Sequence, residues 1–133
     1  MKRCACGVLV RDGRVLLGKR AAGRALYPGV WDVFGGHQEG AESIAETLVR
    51  ELREELDVTP LDYVELGVLD EPKPETNGAR AYHVFAVTAW RGPGPAMLGD
   101  EHTEIAWFTI EAALALDLAL ASYKPLLAGL EQR

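Results

Sequence analysis

Three glutamates, Glu51, Glu54 and Glu55, stand three and four residues apart in the run from Arg50 to Val58. On a helix that spacing projects their carboxylates from one flank, where they meet. Like charges at this spacing destabilise a helix by about 0.2–0.5 kcal/mol per pair. Only Arg50 is placed to relieve one of them, Glu54, and in the less favourable order of basic before acidic. A solvated helix face is the ordinary fate of such a charge run. The helical wheel argues against it here: Glu51 and Glu55 border the apolar stripe next to Leu48, while Glu46 and Arg53 occupy the opposite border. Sheltered carboxylates are stable together when a hard cation neutralises them, and oxygen ligands of this kind suit Mg2+ or Mn2+. Ahead of the helix, Gly35-Gly36 lets the backbone approach a ligand closely and expose a carbonyl as a further metal oxygen.

A helix has to carry these carboxylates, and the stretch from Ser43 to Leu56 suits one throughout. Ala45, Leu48, Val49, Leu52 and Leu56 fall on one face at helical spacing. Upstream, Arg3 to Arg11 and Arg14 to Arg20 are apolar-rich segments joined by Asp12-Gly13, a dipeptide that supplies two positive-φ positions for a hairpin turn. An irregular segment from Ala21 to Val30 leads to a short strand-like piece, Trp31 to Phe34. Further strands are predicted at Tyr63 to Leu69, Arg80 to Trp90 and Ile105 to Thr109, with a mobile loop from Glu71 to Gly78 and a terminal helix from Tyr123 to Glu131. This order predicts an α/β fold, a mixed sheet between helices rather than a strictly alternating parallel one.

The 133 residues match one ordinary domain, and 48% hydrophobic content is enough to close a core. No stretch approaches the roughly 18 consecutive apolar residues of a membrane span, and no small-residue cleavage site follows the first apolar segment. A soluble, cytoplasmic protein is expected. The net charge of −6 disfavours a nucleic-acid groove binder, and equally disfavours unaided binding of a polyphosphate. A phosphate ligand would therefore need an intervening cation. Cys4 and Cys6 lie two apart in a strand and share a face, which suits core packing rather than a mutual disulfide.

The segment from Gly36 to Val58 resembles the Nudix box of MutT-like pyrophosphohydrolases: Gly, five residues, Glu, seven residues, Arg-Glu, an aliphatic, one residue, Glu-Glu, one residue, Gly and an aliphatic. Gly36, Glu42, Arg50, Glu51, Leu52, Glu54, Glu55 and Val58 match it. Asp57 stands where the family has a helix-terminating glycine, a left-handed position that Asp tolerates at modest cost. The resemblance extends to Leu17-Gly-Lys-Arg20, Trp31 and Trp107-Phe108. It implies one α/β/α sandwich domain over residues 1–133. Glu51, Glu54, Glu55 and the Gly36 carbonyl would hold Mg2+ or Mn2+. Arg50 would orient the cluster, and Glu42 would support the loop. The activity implied is attack of water on phosphorus in a small nucleotide-like diphosphate, with Arg50 and Glu54 in the catalytic machinery. A homodimer is compatible with it.

Arg20 and His37 are the candidate substrate contacts; the bland alternatives are a strand-end cation and a loop histidine bonded to backbone. Tyr27, Trp31 and Phe34 flank the site, and the latter two suit core positions better than base stacking. Strand parity selects Glu104 over Glu101 as an extra catalytic carboxylate, since Glu104 shares a face with Ala106 and Phe108 and Glu101 sits in a turn. Two rivals use the same fold: a nucleotide-sensing module, which usually has a damaged box, and an isoprenoid diphosphate isomerase, which expects a cysteine near the diphosphate.

Overall fold

A computed structural model describes residues 1–132. Its strands are β1 (Lys2–Arg11), β2 (Arg14–Arg20), β3 (Trp31–Asp32), β4 (Phe34–His37), β5 (Thr59–Asp70), β6 (Arg80–Arg91) and β7 (His102–Thr109). The helices are α1 (Ile44–Leu56), α2 (Pro74–Asn77), α3 (Ile110–Leu114) and α4 (Tyr123–Gly129), the last running into a 3-10 turn, Leu130–Gln132. All seven strands form one sheet, with a path β3-β2-β1-β6-β5 from which β4 pairs with β1 and β7 with β2. Among the strand pairs of the described residues only β1 and β6 run parallel, so the sheet is mixed, as the order of elements predicts.

Strand alternation divides the core into two. Leu9, Leu16, Phe34 and Val87 face α1 and its Leu48, Leu52 and Leu56, whereas Val8, Val15, Leu17 and Val84 face Ile110, Ala113, Tyr123 and Leu127 of α3 and α4. Helices on both faces of the sheet make an α/β/α sandwich. The hairpin turn has Asp12 at φ 53° and Gly13 at φ 73°, the two positive values that Asp-Gly supplies. Cys4 and Cys6 are buried and free. At the sheet edge β5 is twelve residues long, and its register against β6 shifts at three places. Among the described residues no helix is long and apolar enough to cross a membrane.

Several boundaries differ from those read in the sequence. The Trp31 to Phe34 piece splits at Val33, so that β3 pairs with β2 and β4 with β1. Strand β7 begins three residues earlier than expected, at His102. The stretch from Glu71 to Gly78 contains a helical turn, α2, bound back to Glu71.

Helix α1 is delimited by local chemistry at both ends. Ser43 accepts from the Glu46 amide while the Glu46 side chain accepts from the Ser43 amide, closing a capping box. At the other end Asp57 has φ 59° and ψ 39°, the left-handed conformation expected of it. A non-glycine residue pays for that conformation. Asp57→Gly is therefore expected to stabilise the protein by about 0.5–1 kcal/mol, after allowing for the greater freedom of glycine in the unfolded chain. A lower melting temperature for the variant would show that the Asp side chain makes a native contact.

Candidate active site

A cleft of about 570 Å³ opens at the end of β1, between α1 on one side and the segment 20–27 with β7 on the other. Its acidic wall comes from α1 and the residue just before β7: Glu51, Glu55 and Glu101, with Gly35 and Gly36 beside them. The backbone at the two glycines leaves no room for a side chain. A Cβ on Gly35 would fall on the Ala5 carbonyl, and one on Gly36 would collide with the Glu51 carboxylate. Strand β4 can thus lie against β1 with Glu51 pressed onto its outer edge.

Arg50 organises the entrance. Its Nε donates to Glu42 at 2.7 Å, and its terminal nitrogens donate to Glu42 at 3.1 Å, Glu51 at 3.0 Å, Glu54 at 3.4 Å and the His37 carbonyl at 3.1 Å. Glu42 also accepts from the Glu39 amide and the Thr47 hydroxyl. Hydrogen bonds from Arg50 hold its carboxyl down to about 2. Glu42 is thereby committed to tying the loop 37–42 to α1.

The three helix glutamates differ in environment. Glu55 is buried, Glu51 is mostly buried with its side chain 14% exposed, and Glu54 stands on the outer flank with its side chain 59% exposed. Glu54 does not line the cleft, so the expectation that all three are sheltered holds only for Glu51 and Glu55. Neither oxygen of Glu55 accepts from a donor group, and the carboxylate of Glu101 beside it can be bonded only through a proton that Glu55 itself holds. Burial, reinforced by Glu101 and Glu51, pushes Glu55 up to about 11. Burial also raises Glu51, against the pull of Arg50.

Of the two carboxylates weighed in the sequence, the structure brings Glu101 into this cleft and not Glu104, which strand parity selects. Glu101 lies beside Glu55, and these two with His102 bring one ligand atom each within 4.8 Å of one another. Glu104 is exposed and pairs across the sheet with Lys19. Two features produce this. A register shift between Lys19 and Arg20 places Glu104 opposite Lys19 and His102 opposite Arg20, skipping Thr103. The segment 94–98 is also bound to the last carbonyls of α1: Gly94 to Asp57 at 3.2 Å, Ala96 to Leu56 at 2.9 Å and Leu98 to Glu55 at 3.0 Å. The turn at Gly99-Asp100 is thus anchored on both sides, by Leu98 bonded to the helix carrying Glu55 and by the Glu101 carbonyl, which accepts from the Ala21 amide.

Arg20 lines the cleft, but its guanidinium is engaged: Nε donates to the Leu26 and Tyr27 carbonyls at 3.0 and 3.2 Å, and a terminal nitrogen lies 3.5 Å from Asp32. Asp32 is largely buried, and that burial raises it to about 6 despite Arg20. His37 also lines the cleft, is exposed, and offers its carbonyl to Arg50. Trp31 packs edge-on against Phe108, with ring centroids 4.9 Å apart, and Phe34 is fully buried beneath α1; only Tyr27 of the three flanking aromatics faces the cleft. Sequence reasoning missed Arg24, 3.5 Å from Glu101, together with Arg80, Tyr82 and Tyr123 in the lining. Arg24 was legible only as part of an irregular loop.

The cleft therefore joins an acidic wall, in which Glu55 alone accepts from no donor, to several cations, an arrangement that suits phosphates brought to a carboxylate-held ion. The chain matches the NUDIX domain over residues 1–129. It belongs to the Nudix family. The CTP pyrophosphohydrolase of Escherichia coli (strain K12) is 35% identical over 125 residues, covering 91% of this chain and 85% of the relative. The nucleoside triphosphatase NudI of Escherichia coli O139:H28 is 31% identical over 132 residues, covering 91% of each chain. These relatives are hydrolases acting on acid anhydrides. The crystal structure of a MutT NUDIX hydrolase from Burkholderia pseudomallei superposes with a TM-score of 0.84 at 27% identity, covering 96% of this chain and 95% of that one. In this Nudix chain the box occupies the end of β4, the loop 38–43 and the whole of α1.

The environment of Glu55 makes metal-free stability depend on pH in a definite direction. Its folded pKa lies above its unfolded value, so the folded protein holds a proton that the unfolded chain has released. Stability is then lost as pH rises between about 4.5 and about 11. Between about pH 7 and 8.5 the window is clear of His102, which burial lowers to about 4, and of Asp32. Thermal melts in chelator should fall in temperature across that interval, and Glu55→Gln or added Mg2+ should flatten the fall. A pH-independent melt of the metal-free wild type would mean that Glu55 is ionised without a cation.

Proposed function

We propose that this Nudix chain, acting as one catalytic domain over residues 1–133, hydrolyses a phosphoanhydride with the help of a divalent cation, Mg2+ or Mn2+. The substrate proposed is a nucleoside triphosphate or a nucleoside diphosphate-linked compound. The observation that carries this reading is Glu55: a buried carboxyl that accepts from no donor and whose ligand atom lies within 4.8 Å of those of Glu101 and His102. A buried carboxyl is protonated, paired or bound to a metal, and a cation here would take the place of the proton. The donor set is mainly carboxylate and carbonyl oxygen, which suits a hard cation. Glu51, Glu55, Glu101 and the Gly36 carbonyl would hold it, with Glu54 available from the outer flank.

A cation bound there would offset the charge of the phosphates and make water more acidic. The protein's own part is positioning. Arg50 fixes Glu51 and the loop behind it, Glu101 stands ready to accept a proton beside Glu55, and Arg24, Arg80 and His37 face the space for the phosphates. In the reaction a bond forms between water oxygen and phosphorus, the bridging P–O bond breaks, and a phosphate-bearing group leaves. The names of the similar enzymes favour a nucleoside triphosphate over a nucleotide sugar or a dinucleoside polyphosphate. A cytoplasmic setting fits the two free thiols.

Phosphate and pyrophosphate release from a nucleotide panel tests the reading. Activity is expected with Mg2+ or Mn2+ and not in excess chelator; full activity in chelator would end the metal mechanism. Glu51→Gln and Glu54→Gln should each lower kcat by roughly two orders of magnitude or more. Losses below about tenfold at both positions would mean the acidic helix does not take part. Glu101→Gln should cost more kcat than Glu104→Gln, because only Glu101 shares the cleft with Glu55. The reverse order would move the carboxylate's role to the exposed strand face.

A further inference from the structure

A second buried carboxylate lies outside the acidic wall. Glu71, just past β5, is 4% exposed and accepts four hydrogen bonds. The Tyr27 hydroxyl donates to it at 2.5 Å, the Tyr82 hydroxyl at 2.8 Å, the Lys73 amide at 3.1 Å and the Asn77 side chain at 3.2 Å. No cation among the described residues lies within ion-pair distance of it. Burial opposes its ionisation, yet these hydrogen bonds hold its carboxyl below the usual range. An ionised carboxylate only accepts, so both phenols are obliged to donate to it. The Tyr27 hydroxyl is occupied on its other side as well, by the Asn77 amide at 3.5 Å.

Tyr27 is held in a conformation that it would not adopt freely. Its φ is 51°, a left-handed value costly for a bulky residue. Two clamps fix it, the Arg20 guanidinium on its carbonyl and Glu71 on its hydroxyl. Both Tyr27 and Tyr82 line the cleft whose other wall carries Glu51 and Glu55. With their hydroxyls turned to Glu71, what the two tyrosines offer that space is aromatic carbon.

We propose that Glu71 is a positioning residue for the substrate's base: it fixes Tyr27 and Tyr82 as an aromatic wall of the cleft, leaving ring surface for a planar group. The assignment rests on the hydrolase reading for the identity of the substrate, but not for the clamp itself. Aromatic surface accepts bases by stacking or edge contact with little demand for a particular hydrogen-bond pattern.

The test compares Glu71→Leu, which leaves no acceptor, with Tyr27→Phe and the double variant in the full chain. Amide hydrogen exchange is expected to rise about tenfold or more in residues 22–30 of Glu71→Leu, remote in sequence from the substitution, with α1 unchanged. In turnover, KM should rise about tenfold while kcat falls no more than about threefold. Should Glu71→Leu fail to fold, Tyr27→Phe removes one bond of the same clamp and should raise both exchange and KM about threefold. The double variant should be little worse than Glu71→Leu, because the Tyr27 anchor is already lost there. Unchanged exchange in 22–30 would overturn the clamp, and raised exchange with unchanged KM would overturn its role in seating substrate. An additive effect of Tyr27→Phe would show the hydroxyl touching substrate directly and overturn the clamp as its role. If the wild type releases neither phosphate nor pyrophosphate, the hydrolase reading fails by itself. Hydrogen exchange and calorimetric binding of a nucleoside monophosphate, weakened about tenfold by Glu71→Leu, then decide this proposal.

Discussion

The arrangement of the acidic wall depends on one guanidinium. Arg50 bonds forward to Glu51 and Glu54 on its own helix and backward to Glu42 and the His37 carbonyl on the preceding loop. A planar group with donors in a fixed fork can do this, whereas an ammonium could not hold the same angles. The consequence is that the glycine-bearing strand β4 and the glutamate-bearing helix α1 are registered to each other by a side chain lying between them. The repulsion among the glutamates is partly offset by the same contact, which leaves Glu55, out of its reach, as the one of the three that accepts from no donor.

A second constraint comes from the end of α1. Its final carbonyls would be orphans at a helix terminus. The segment 94–98 satisfies those of Glu55, Leu56 and Asp57 and in doing so brings the chain toward Glu101. Helix termination and site assembly are thus one event here. The left-handed Asp57 turns the chain so that Gly94 can reach its carbonyl.

What the sequence discloses follows the range of the interactions concerned. Helix α1, its capping box and the left-handed Asp57 are local, and each is visible in residues within a few positions of one another. The two-sided core is visible in the alternation of Val8 with Leu9 and of Val15 with Leu16. The Glu101 position is not legible, because it depends on a one-residue register shift and on backbone hydrogen bonds to a helix more than forty positions upstream of it. Glu71 reads as part of a polar loop because the tyrosine that secures it lies 44 positions away. Arg20 was open between two roles in the sequence, and its bonds to the Leu26 and Tyr27 carbonyls make its structural role visible without removing it from the cleft.

Strand β5 has a further consequence, for the life of the molecule at high concentration. It is a twelve-residue strand at the end of the sheet path, carrying exposed Leu61, Val64 and Val68. A long, flat, apolar edge is a template on which further chains can add. The three register shifts against β6 interrupt the straight ladder, and Pro60 removes one donor near its start. An incoming strand would find the amide and carbonyl groups out of step along the first two thirds of the edge, which makes it a poorer template than its length and exposed side chains would suggest.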